Sequence, residues 1–73
     1  MDIYVEGYEY EELHIGDKVM IVVDYQYDDY CKRRLGEIGE IVEIDPGDTW
    51  AYRVEFSDGE CNWFKRYILK HIS

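Results

Sequence analysis

The sequence predicts an all-β domain: five short strands closing into a small barrel, with a long loop after the first strand and an acidic N-terminal arm. Three observations carry that prediction. Segments rich in Val, Ile and aromatic residues recur along the chain and are too short to be read as ordinary helices. Two of the gaps between them, Asp45-Pro46-Gly47-Asp48 and Ser57-Asp58-Gly59-Glu60, are turn sequences. Helix signals are nearly absent.

Residues 1–14 read as an arm and 15–73 as the barrel. The arm carries Asp2, Glu6, Glu9, Glu11 and Glu12, with Ile3, Tyr4, Val5, Tyr8, Tyr10 and Leu13 between them and no Lys or Arg. Tyr4, Tyr8 and Tyr10 fall on even positions, as a strand would place them, but Gly7 interrupts the pattern. The arm is therefore either a solvated tail or a segment whose tyrosines pack on the barrel or on a partner. Ile15-Gly16-Asp17 turns into the first strand, Lys18 to Asp24, where Val19, Ile21 and Val23 share one face and Met20 and Val22 the other.

From Tyr25 to Glu37 no apolar period is visible, so this stretch reads as a long loop. It holds Tyr25, Tyr27 and Tyr30 beside Asp28 and Asp29, then the basic run Lys32-Arg33-Arg34. The second strand is Ile38 to Ile44, with Gly39 marking a bulge or a close backbone approach. Trp50 to Phe56 is the third strand, alternating Tyr52, Val54 and Phe56 against Ala51, Arg53 and Glu55. Asp58-Gly59 turns it into a fourth, Cys61 to Lys65, which brings Trp63 to the core with Phe56 and Tyr52. Arg66-Tyr67 makes a short turn before the last strand, Ile68 to Ile72.

These residues resemble the SH3-like barrels. The resemblance rests on Ile15-Gly16-Asp17-Lys18-Val19, Gly36-Glu37-Ile38-Gly39-Glu40-Ile41-Val42-Glu43-Ile44, Tyr52-Arg53-Val54-Glu55-Phe56-Ser57-Asp58-Gly59 and the terminal Ile68-Leu69. That group includes KOW-type domains, the beta-subunit barrel of nitrile hydratase, a small accessory protein of photosystem I and small phage proteins. It implies a fold rather than a function. For a stand-alone barrel of the phage kind it implies a protein that binds and modulates host factors. For the photosystem and hydratase members it implies an accessory subunit.

Charge narrows the choice. Seventeen Asp and Glu against eight Lys and Arg give a formal charge of −9 on 73 residues. Such a chain repels nucleic acid and anionic lipid and attracts basic partners. A direct nucleic-acid role would rest only on Lys32-Arg33-Arg34 and on Lys65, Arg66 and Lys70, and these cations are expected to offset neighbouring acids such as Asp28 and Asp29. Hydrophobic residues at 47% exclude a disordered chain. The longest apolar run, Val19 to Val23, is too short for a membrane span or a signal peptide. A cytoplasmic location is expected, in the host cell if the chain is phage-encoded, with Cys31 and Cys61 as reduced thiols.

No Ser-His-Asp or Cys-His grouping and no phosphate-binding Gly loop is readable, so no catalysis and no cofactor are expected. His14, Cys31, Cys61 and His71 lack metal-site spacing. The expected function is a protein-binding module that occupies a basic, nucleic-acid-handling host protein by imitating a phosphate backbone. Glu9, Glu11, Glu12, Asp28 and Asp29 are its expected charge contacts, with Tyr25, Tyr27 and Tyr30 as aromatic anchors. The alternative is a structural subunit of a larger enzyme or redox assembly.

Overall fold

Five segments pair as strands in the structure, a computed structural model that describes residues 11–23 and 28–72. They are β1 (Lys18–Ile21), β2 (Ile38–Ile44), β3 (Tyr52–Glu55), β4 (Cys61–Phe64) and β5 (Leu69–Ile72). All pairings are antiparallel, and the order in the sheet is β4-β3-β2-β1-β5. The all-β class read from the sequence is therefore present. The ladder begins at β4 and ends at β5, and among the described residues these two strands do not pair, so the sheet is not a closed hydrogen-bonded barrel. A 3-10 turn, Arg66–Ile68, links them.

Alternation decides which side chains enter the core. Val19 and Ile21 of β1, Ile41 of β2, Val54 of β3, Phe64 of β4 and Leu69 of β5 are buried, joined by Leu13, Cys31, Phe56 and Ile68. Met20 is half-buried and Val22 exposed, as the expected two faces of β1 require. Leu13, read from the sequence as part of the arm, lies inside this core. Trp63, expected inside, is only half-buried. The register explains the exchange: Trp63 stands opposite Arg53, whereas Phe64 stands opposite Tyr52 and takes the inner face.

Gly39 is a close approach rather than a bulge. A Cβ there would lie 2.5 Å from Val54 Cγ1 and 2.7 Å from the Glu55 carbonyl oxygen. The bulge falls two residues later, where the β2–β3 register shifts between Ile41 and Glu43. The turn before β1 holds Gly16 at a φ of 97°, in the left-handed region that favours glycine. Its amide donates to the Ile41 carbonyl, and the Ile41 amide donates to the Asp17 carbonyl, which clips the turn to β2.

The stretch read as a structureless loop contains a short helix, α1 (Asp29–Arg33). One turn is too brief to show an apolar period, but its ends are marked. The Asp28 side chain accepts from the Tyr30 amide as an N-cap, Asp29 stands in the first turn, and Lys32 and Arg33 stand in the last. Cys31 is its buried residue, and the thiol donates to the Val23 carbonyl at 3.6 Å. Cys31 and Cys61 are not joined in a disulfide.

Candidate protein-binding surface

Arg34 organises the side of the domain that follows α1. Its side chain is only 7% exposed, yet three carboxylates reach it. Nη1 donates to Glu37 at 2.7 Å, and Nη2 donates to both Asp58 and Glu60 at 2.8 Å. The guanidinium carbon lies 4.4 Å from the centroid of Phe56 and 5.2 Å from that of Tyr30. A cation buried to this degree requires compensating charge and aromatic faces, and both are supplied. Arg34 thus ties the end of α1 to the turn between β3 and β4.

That turn is prepared for the contact. Asp58 accepts from the Glu60 amide at 3.0 Å, which holds its other carboxylate oxygen toward Arg34. The Glu60 amide and then the Arg34 guanidinium push the Asp58 carboxyl below its ordinary value, and Arg34 does the same for Glu60. Glu37 and Asp58 in turn raise the Arg34 guanidinium. Burial, followed by the neighbouring Glu60 carboxylate, raises the Tyr30 phenol. The three carboxylates face Arg34 and, at Glu60, also Arg33, and each remains about half exposed to solvent.

The expected contact residues are held by different elements. Glu9, Tyr25 and Tyr27 lie outside the described residues. Glu11 and Glu12 are exposed at the start of the described chain, where the Glu11 carbonyl accepts from Arg66 Nη2 at 2.6 Å. Asp29 is exposed at the helix start. Asp28 caps α1 through its side chain. Tyr30 turns inward: its ring lies 6.2 Å from Phe56 and 6.3 Å from Phe64, so it packs across the core rather than projecting as an exposed anchor.

The basic run does offset acids, but not the neighbours expected from the sequence. Arg34 pairs with Glu37, Asp58 and Glu60, and Arg33 lies 3.9 Å from Glu60. Only the Arg34–Glu37 spacing is visible along the chain; the two hairpin carboxylates reach Arg34 through the fold. Elsewhere Lys18 pairs with Glu40 at 3.0 Å, Arg53 pairs with Glu43 at 3.3 Å, and Lys65 lies over Trp50. Among the described residues no group of three His, Cys, Asp or Glu is arranged to hold a metal ion, and no helix is long and apolar enough to cross a membrane.

Together these features define a small, acidic, all-β domain with a five-stranded antiparallel sheet and carboxylate-rich loops. It is similar to the Bacillus subtilis protein YorP, whose structure was solved by NMR. The two are 26% identical, with a TM-score of 0.72 over 89% of this chain and 75% of that one. No protein-family model and no curated protein matches the chain.

Proposed function

We propose that this protein is a non-enzymatic binding module that uses its carboxylates to occupy a basic, nucleic-acid-handling protein. In this reading it is a phage or mobile-element modulator built on an SH3-like arrangement of strands. The formal charge of −9 is the observation that carries the reading. Duplex DNA presents about one negative charge per 1.7 Å of axis, and a protein surface that imitates it competes for the same Lys and Arg. The exposed carboxylates of Glu11, Glu12, Asp29, Glu37, Asp58 and Glu60 support it. The strand order and the 3-10 turn before β5 support the SH3-like assignment.

The test is binding to a panel of purified basic DNA-binding proteins at rising salt. The expected result is an affinity that falls steeply with ionic strength and competition by duplex DNA. A salt-insensitive affinity rejects the electrostatic reading. Asp28 is the helix cap, so Asp28→Lys would perturb the fold as well as the charge. The informative reversals are Asp29→Lys and Glu12→Lys, and binding unchanged by both removes these residues from the interface.

A second reading, an accessory subunit of a larger assembly, draws on a different observation. Ile15, Val22, Leu35, Ile38 and Tyr67 are exposed apolar side chains. It predicts co-purification at constant stoichiometry with one complex, unaffected by charge reversal.

A further inference from the structure

We propose that Arg34 guards the Asp58–Gly59 bond against conversion to isoaspartate, and that this turn becomes a site of that modification when the guard is lost. The proposal is independent of the binding function above. Asp58-Gly59 is the single Asp-Gly pair in the sequence. The turn selects both residues. Gly59 sits at a φ of 90°, in the left-handed region that favours glycine, and Asp58 accepts from the Glu60 amide. An Asp-Gly pair is also where a main-chain nitrogen attacks the preceding side chain most readily, because glycine has no Cβ to shield it.

In that reaction the Gly59 nitrogen bonds to Cγ of Asp58. One carboxyl oxygen leaves as water, carrying the carboxyl proton and the Gly59 amide proton, and a cyclic imide remains. Water then adds at the main-chain carbonyl of Asp58 and breaks its bond to the Gly59 nitrogen. The chain now runs through Cγ, and the former main-chain carbonyl is a free carboxylate. No oxidant or cofactor enters, and the product is an isomer of the starting chain.

Each participant is occupied in the structure. The Gly59 amide donates to the Phe56 carbonyl at 2.9 Å, which holds its proton and fixes its plane. Asp58 Oδ1 accepts from the Glu60 amide at 3.0 Å, and Oδ2 accepts from Arg34 Nη2 at 2.8 Å. Cγ is therefore held through both of its oxygens. The Glu60 amide and then the Arg34 guanidinium also keep the carboxyl below its ordinary value, away from the neutral acid that loses water. The two backbone bonds belong to the turn itself. Arg34 is the tie brought from elsewhere, from the end of α1, and Glu37, Glu60 and the Phe56 ring hold it in place. Once formed, isoaspartate lengthens the main chain by a methylene and shortens the carboxylate arm, so the Arg34 bond is lost with it.

The test ages the protein at neutral pH and physiological temperature. Isoaspartate at residue 58 is measured by enzymatic isoaspartyl methylation and peptide mapping. Folded Arg34→Met should form it about tenfold faster than the folded natural protein, the factor that about 1.4 kcal/mol of lost restraint gives. The natural protein unfolded in urea should react faster again. Val19→Ala opens a cavity in the core from β1, which β2 separates from β3, and weakens the fold without touching the turn. Its rate should stay that of the natural protein. Equal rates in the folded and unfolded natural protein, no acceleration in folded Arg34→Met, or an acceleration as large in Val19→Ala overturns the proposal. Should Arg34→Met not fold, Arg34→Gln removes the charge from the same place; a rate equal to that of the natural protein then overturns it.

Discussion

Arg34 Nη2 donates to Asp58 Oδ2 at 2.8 Å across twenty-four residues of chain. That bond, with its companions to Glu37 and Glu60, joins the end of α1 to the β3–β4 turn. A domain this small has only a few kcal/mol of net stability, roughly 3–5, so a buried cation and the carboxylates that hold it have leverage on whether it folds.

Acid should therefore release this tie. Asp58 and Glu60 have carboxyls held below their ordinary values of 3.8 and 4.5, so the unfolded chain binds protons first as the pH falls. Their contribution is present above those ordinary values and is lost as the pH drops through the lower native ones. Chemical denaturation at a series of pH values should show stability falling below about pH 4.5. In Arg34→Met the protein should be less stable at neutral pH, and the acid slope should be shallower. An equal slope in both proteins would assign acid sensitivity to other carboxylates.

Gly39 has no room for a side chain. Ala there would meet Val54 and the Glu55 carbonyl inside 3.0 Å, and the latter is backbone. Gly39→Ala should cost about 1–3 kcal/mol, the usual penalty for overpacking, despite the entropy gained from losing a glycine. Urea unfolding measures it.

The cap of α1 predicts a smaller loss. Asp28→Ala removes the acceptor for the Tyr30 amide and should cost about 1 kcal/mol, with Asp28→Asn nearly neutral because it also caps. Tyr30 packs on Phe56 and Phe64, so its near-ultraviolet dichroism should weaken with the cap. A variant as stable as the natural protein would show that packing alone holds the helix.

On the outer face, Glu40 of β2 stands directly opposite Glu55 of β3. Like charges in that position repel across the strands. Glu55→Lys replaces repulsion with attraction and should stabilise by about 0.2–1 kcal/mol, an increment that shrinks in high salt. Thermal unfolding at low and high ionic strength checks both the sign and the screening.

The strands and turns are legible in the chain because their signals are local. The apolar run in Lys18–Ile21, the alternation along Tyr52–Glu55, and the Asp-Pro-Gly and Asp-Gly turns depend on near neighbours alone. The acidic balance is equally plain, since charge is counted rather than folded. Tertiary structure decided the rest. The partners of Arg34, the burial of Phe64 in place of Trp63 and the register shift between Ile41 and Glu43 depend on which residues oppose one another. A slip of one residue exchanges the two faces of a strand, and side chains far apart in sequence meet only when the pairing is set. Composition chose the class of fold and the sign of its field; pairing chose which carboxylates surround a buried cation and which way Tyr30 turns.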